Sequence, residues 1–440
     1  MRERNLAIVL LAAAGLLRLV LLLLPELGRD EVTYLYWTHH PRPDYAPLLQ
    51  GQIALARWVS ELPWFLRLSQ FIVGAVGLVL FAQWLRARGA EHRWLAVGAL
   101  ATVPWLCFSG AILHPDGLFV CGLMIFALGV ERTQARWVIV GAVLCLGARL
   151  TGIVPAGVAL LWLLQQRRVR PAVALSAVLV TWAVLLQPTS ITAARDFAQI
   201  DAGPVQRLAI LLLEIGLLGG LLLAVARWRR NPVALVAVIL LAGFTIAALG
   251  PGQVKANWLL PGFLLLWPQR PRRGLLIGLA VISLAFSTLM VAGYARPQWA
   301  AAAERSLDVH GLLPAYSDLA GQREARVASA ASWRDYLEGF HGQVEWPPVP
   351  AIPDQIKSDD YAIAARLALK CPATVPVVVV PGDPLFAAEA ANGPLRELVV
   401  AVRVDLDDLV QDGQVVWRGT MRHPVTASTI RLALVERNNR

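Results

Sequence analysis

Three carboxylates, Asp30, Glu31 and Asp44, stand within "GRDEVTYLYWTHHPRPDYAPLL" at 28–49, among aromatics and the adjacent His39 and His40. Carboxylates placed directly after a long apolar run suit proton transfer or the binding of hydroxyls. Further polar groups punctuate later apolar runs: "HPDGL" at 114–118 with His114 and Asp116, Arg149 in "GARLTG", and "KANWLLPG" at 255–262 with Lys255 and Trp258. Arg18 and Arg67 add cations near the ends of the first two runs. Each group has an ordinary reading. Asp116 can cap the helix that follows Pro115, Trp258 can anchor at a membrane interface, and Lys255 and Arg149 can snorkel. Arg18 is harder to dismiss, because an intramembrane arginine is expensive. Together the carboxylates and cations suit a substrate with a lipid tail, an anionic phosphate and a hydroxyl-bearing group.

The elements that must hold these residues are apolar. Of 440 residues, 57% are hydrophobic and 16% charged, where a soluble protein would carry about a quarter charged residues. Apolar segments fall at 6–24, 65–83, 94–112, 117–130, 137–147, 150–164, 171–186, 208–226, 232–249, 257–267 and 274–293. The first is long enough to cross a hydrocarbon core of about 30 Å, and no small-residue cleavage site follows it. The runs at 137–147 and 150–164 read as a helical hairpin broken at 147–149. The expected architecture is mainly α: a polytopic transmembrane bundle of about eleven segments over 1–293, followed by a small α/β domain over 294–440.

Charge sets the expected orientation. Residues 1–293 carry 25 basic and 12 acidic residues, a net +13, against −3 for 294–440. Sixteen of the basic residues sit in alternate short loops, around Arg2, Arg86, Arg132, Arg167, Arg227 and Arg270, so those loops read as cytoplasmic. The N-terminus is then inside and the C-terminal domain outside, periplasmic or extracellular. Eight of the twelve acids fall on the outer side. Acids do little to set topology, so this bias points to chemistry at the outer face. The basic clusters follow membrane topology and give no nucleic-acid footprint.

In the first outer loop, Leu55, Trp58, Val59 and Leu62 recur at helical spacing within 50–62, as in a helix lying in the interface or an amphipathic cover helix. In the tail, 377–380, 398–404, 415–417 and 430–435 read as strands and 361–369 as a helix; the proline-rich "EWPPVPAIP" at 345–353 reads as a linker. Cys107, Cys121, Cys145 and Cys371 read as packing residues.

The ordered set of motifs resembles the GT-C integral-membrane glycosyltransferases, the group of protein O-mannosyltransferases and bacterial aminoarabinose transferases. "RDEVTYLYW" resembles the family's Asp-Glu-Ala-Tyr-Tyr after the first helix, "DYAPLL" its Asp-His-Pro-Pro-Leu, "FLRLSQ" its Val-Arg-Leu-Pro-Ser and "LHPDGLF" its Thr-Pro-Asp-Ala-Leu. "GARLTGIVP" stands where the family has Leu-Ser-Lys-Tyr-Thr-Gly, "KANWLLPGF" resembles its His-Trp-Pro-Ala-Pro, and "SDDYAIAARLAL" at 358–369 a later Tyr-x-x-Ala-x-x-Leu segment. Three departures stand out: Tyr45 and Ala46 replace the His and first Pro, Arg149 the hairpin Lys, and Thr33 the first Tyr.

The resemblance implies an inverting transfer of a sugar from a polyprenyl-phosphate carrier to an acceptor hydroxyl at the outer face of the cytoplasmic membrane. It implies Asp30 as the base and Glu31 as a group that orients the acceptor or binds a cation. Arg149 and Lys255, with Arg18 and Arg67 behind them, would meet the phosphate. Asp44, Tyr45, His114, Asp116 and Trp258 would bind substrate, with Asp44 and Asp116 able instead to complete a metal site. His39, His40 and His114 lack diagnostic metal spacing, so no metal is assigned, a divalent cation remaining the one possible cofactor. The partners implied are the polyprenyl-phosphate sugar, membrane lipids and a lipid, glycan or protein acceptor. Two other readings stand beside this one: a transporter or flippase for the polyprenyl-linked sugar, favoured by Glu214 within its apolar run, and an inactive relative that binds a glycan or partner.

Overall fold

The structure is a computed structural model. It describes residues 2–24, 27, 29–41, 45–185, scattered positions in 208–227, 231–249, 256–295, 354–358, 377–379, 395–401, 406–410, 414–422 and 429–437. Asp44, Lys255, Glu214, the expected linker at 345–353 and the expected helix at 361–369 lie outside the described residues.

Ten helices run in order from the N-terminus: α1 (Arg2–Leu23), α2 (Arg29–His39), α3 (Pro47–Arg57), α4 (Pro63–Ala87), α5 (Arg93–Ala101), α6 (Pro104–Ser109), α7 (Pro115–Glu131), α8 (Ala135–Ala148), α9 (Ile153–Gln165) and α10 (Val169–Leu185). Helices at Leu222–Val225, Pro232–Leu249, Ala256–Leu265 and Arg273–Ala295 follow. Among the described residues, three helices are long and apolar enough to cross a membrane: Glu3–Leu23, Pro63–Ala87 and Arg273–Ala292. Shorter apolar helices pack beside them, and Phe81, Trp84, Phe119, Phe126, Trp267 and Leu264 are buried in the resulting core.

Two breaks shape the upper bundle. The expected run at 94–112 divides into α5 and α6, because Pro104 brings no N–H and pushes Val103 to an extended backbone, φ −60° and ψ 124°. The hairpin breaks where expected, with Arg149 extended at φ −153° and ψ 152° before a single 3-10 turn at Leu150–Gly152. A β-carbon on Gly152 would run into the Cys145 carbonyl, so the turn closes only with glycine there.

The bundle has two chemically distinct ends. At one, the basic loops meet: His92 faces Glu3 at 3.0 Å, Arg88 faces Glu131 at 3.6 Å, and Gln269 donates to the Arg88 carbonyl at 3.0 Å. At the other lie α2, α3, the turn before α7 and the tip of the α8–α9 hairpin.

The amphipathic element at 50–62 is shifted. Helix α3 starts earlier and stops at Arg57, buries Leu49, Gln50, Ile53 and Ala56, and leaves Leu55, Trp58, Val59 and Leu62 exposed. The helix thus turns Leu49, Ile53 and Ala56 to the protein, while Leu55 and the segment after the helix, with Trp58, Val59 and Leu62, are left exposed, as apolar groups at a lipid interface are.

The tail forms a five-stranded sheet of order β2-β1-β3-β5-β4, from β1 (Gln355–Ser358), β2 (Val377–Val379), β3 (Leu395–Ala401), β4 (Gln414–Arg422) and β5 (Thr429–Arg437). β1 pairs in parallel with β2 and β3, whereas β3–β5 and β4–β5 are antiparallel. Strand β1 is absent from the sequence expectation because "QIKS" is polar. It is buried nonetheless: Lys357 Nζ donates to the Leu409 carbonyl and the Ser358 hydroxyl to the Val400 carbonyl, each at 2.9 Å. Alternation sends Ile356, Leu398, Val400 and Leu432 onto Val32, Tyr34, Trp37, Leu49 and Leu113 of the bundle. The opposite face, Val399, Ala401, Ala433 and Val435, covers a short helix at Leu406–Val410.

Candidate active site

Asp30 and Glu31 occupy the first turn of α2, where carboxylates complement the positive end of a helix. Their surroundings differ. Glu31 is buried, and Arg67 Nε and Nη2 donate to its two oxygens at 2.8 and 2.7 Å. The Leu113 amide donates to Glu31 Oε1 at 2.9 Å, and Arg67 Nη1 donates to the Leu24 carbonyl at 2.7 Å. This bidentate pair ties α2 to α4 and to the turn before α7. Asp30 is partly exposed.

Asp116 is the second centre. Pro115 opens α7, His114 caps it, and the Asp116 amide donates to His114 Nδ1 at 3.3 Å. The Asp116 carboxylate is fully buried. Arg149 Nη1 pairs with its Oδ1, while Trp105 Nε1 and Asn257 Nδ2 donate to Oδ2 at 2.7 and 3.1 Å. Four segments thus converge: α6 supplies Trp105, α7 Asp116, the hairpin tip Arg149, and helix Ala256–Leu265 Asn257. With both oxygens occupied, Asp116 serves as a fixed anion that orients Arg149.

Tyr45 stands between the two centres. Burial pushes its phenol above the ordinary range; Arg149 opposes the shift, Asp30 and Asp116 add to it, and Tyr34 is a hydrogen-bond partner. Gln50 Nε2 donates to the Tyr45 carbonyl at 2.5 Å. Tyr34 meets Trp37 and His114 edge-on at 5.5 and 6.3 Å, and Trp37 meets Tyr45 at 5.3 Å. The next residue explains one departure from the motif: Ala46 has φ 46°, which a proline ring, locked near −65°, cannot adopt.

Asp30, Tyr45, His114, Asp116 and Arg149 are therefore brought together. Trp258 instead packs on Phe244 at 5.4 Å, and Arg18 lies deeper, donating to the Leu106 carbonyl. Arg67 is close, yet enclosed by Glu31. Asp44 and Lys255 lie outside the described residues. Among the described residues, no group of three His, Cys, Asp or Glu side chains is arranged to hold a metal ion.

Three participants escape the sequence reading. Trp105 is hidden in an apolar run, although a buried indole N–H calls for an acceptor. Asn257 sits inside the quoted "KANWLLPG". Gln70 donates to the carbonyls of Ser109 at 2.6 Å and His114 at 2.9 Å, joining the end of α6 to the start of α7. Gly117 leaves room for this: a β-carbon there would collide with Gln70 Nε2 and lie 2.5 Å from the Ser109 carbonyl. Gly117→Ala is expected to destabilise the bundle by about 1–3 kcal/mol through overpacking. Thermal melting of the purified variant in detergent measures this, and Gly157→Ala, which meets nothing within 4 Å, is the control.

This fold, an apolar helical bundle with a small sheet over one end, has counterparts among solved structures. Two crystal structures of ArnT from Cupriavidus metallidurans share it. The apo structure superposes with a TM-score of 0.54 at 13% identity, covering 98% of each chain. The structure bound to undecaprenyl phosphate gives 0.51 at 15% identity, covering 97% of each. No family model matches the chain, and no curated protein matches it.

Proposed function

We propose that this chain is an inverting glycosyltransferase that moves a sugar from a polyprenyl-phosphate donor to an acceptor hydroxyl at the outer face of the cytoplasmic membrane. The observation that carries the reading is the Arg149–Asp116 pair held by Trp105 and Asn257, with Asp30 and Tyr45 beside it. One ArnT structure with the same fold holds undecaprenyl phosphate, which supports a polyprenyl phosphate as the lipid partner.

In this reading the acceptor oxygen attacks the anomeric carbon and its proton passes to Asp30. The bond to the phosphate breaks on the opposite face, and the phosphate leaves with the electron pair. Negative charge grows on that phosphate, and fixed cations in a dry site stabilise it more than water would. Arg149 is the principal contact and Lys255 the second. Glu31 and Arg67, each occupied by the other, position the start of α2. Asp44, His114 and Asp116 shape the sugar site.

The topology that goes with this reading has about eleven segments over 1–293, a cytoplasmic N-terminus and the 294–440 domain outside. The domain would cover the site through the contacts of β1, β3 and β5 with α2 and α3.

The test is reconstitution of the purified chain in vesicles with synthetic polyprenyl-phosphate sugars and an envelope lipid extract. Release of polyprenyl phosphate together with a glycosylated product supports transfer; movement of the lipid-linked sugar across the bilayer without release supports the transporter. Arg149→Lys keeps the charge and loses the two-pronged geometry, so it is expected to retain part of the turnover, while Arg149→Ala loses about 100-fold or more. Equal turnover in the wild type and Arg149→Ala would remove Arg149 from the phosphate site.

A further inference from the structure

Arg18 lies within α1, 5% exposed, among Leu, Val and Ala. A guanidinium at that depth needs compensation. Its protein partners are the Leu106 carbonyl, to which Nη2 donates at 3.0 Å, and the Cys107 thiol; none of them is a carboxylate among the described residues. The compensation is the C-terminal end of α6. The last carbonyls of a helix carry partial negative charge; here the Leu106 carbonyl, which accepts from the Gly110 amide, also takes Arg18, and Gln70 takes Ser109.

Arg18 and Ser109 also line an interhelical cavity of about 20 Å³ with Gly74, Gly77 and Gly110, room for about one water. Arg18 Nε and Ser109 Oγ are both buried without a partner among the described residues, and a single water between them would satisfy both. A small anion would meet the α6 carbonyls that already face Arg18, so water is the fitting occupant. At the opposite end of the same short helix, Trp105 donates to Asp116 Oδ2.

We propose that Arg18 is a positioning residue that acts through α6. With its bridging water it clamps the C-terminal end of this helix, so that Trp105 holds Asp116 and Asp116 in turn orients Arg149. The predicted effect on turnover rests on the glycosyltransferase reading; the clamp does not.

The experiment follows the Trp105 indole N–H in full-length protein labelled with ¹⁵N-tryptophan, the signal being assigned by its loss in Trp105→Phe. In Arg18→Gln the signal is expected to move toward its position in Asp116→Asn. Arg18→Lys, which keeps a charged donor to Leu106, should restore most of the shift. Ser109→Ala, which removes only one end of the water bridge, should move the signal part of the way. For sugar transfer, Arg18→Gln should lower kcat about tenfold or more with little change in KM for the lipid donor. An indole signal at the wild-type position in Arg18→Gln overturns the clamp, as does one in Ser109→Ala if Arg18→Gln does not fold. A displaced indole with no transfer by any form, wild type included, leaves the clamp standing and removes the transferase reading instead.

Discussion

Asp30→Asn is expected to abolish sugar transfer in a protein that still folds, lowering turnover by about 10²–10⁴-fold, the usual contribution of a positioned base. The amide keeps the size of the side chain and part of its hydrogen bonding but cannot take the acceptor's proton. Asp30 is partly exposed in the first turn of α2, beside Tyr45, and the isosteric amide fits the same space. Comparison of envelope glycans between wild-type and Asp30→Asn strains by mass spectrometry checks the prediction. The unused polyprenyl-linked sugar should accumulate in the variant and identify the donor. Unaltered glycans in the Asp30→Asn strain would take the base away from this residue.

Its neighbour should behave in the opposite way. Glu31→Ala leaves the fully buried Arg67 without its counter-ion and removes the acceptor of the Leu113 amide. Breaking a buried pair on one side costs about 3–5 kcal/mol, enough to reduce folded yield and shift melting strongly. Replacing both partners with methionine should recover part of the loss, since no charge is left stranded. Recovery stays incomplete because the Leu24 carbonyl and the Leu113 amide each lose a partner. Melting and detergent-soluble yield of the two single variants and the double variant measure the cycle. If Glu31→Ala melts like the wild type while losing all transfer, Glu31 acts on substrate and the positioning role is wrong.

The opposite expectations for adjacent acids show what could be read before the fold. The "RDE" run marked α2, and the ordered motifs marked the ends of the right segments. Pro115 opening α7 and the break at 147–149 follow from local backbone chemistry, so the turn with Asp116 and the tip with Arg149 were legible. Strand β2 and parts of β3, β4 and β5 were legible from their β-branched and apolar runs. Strand β1 was not, because its Lys357 and Ser358 are satisfied by carbonyls distant in sequence. Helix α3 was legible as amphipathic but misplaced: it buries Leu49, Ile53 and Ala56 and ends at Arg57, before Trp58, Val59 and Leu62.

Sequence alone determined the membrane-like composition, the two chemically distinct ends and the residue types available for chemistry, because hydropathy and charge are properties of short stretches. Which acid is enclosed by which cation was decided only when α4, α6 and Ala256–Leu265 packed against α7. Arg67 lies 36 positions from Glu31 and Asn257 lies 141 positions from Asp116, and no local pattern encodes a contact across such distances. Tertiary packing therefore sorted one set of charged residues into a structural pair, a helix clamp and a candidate catalytic centre, since burial leaves each charge stable only where its partner stands.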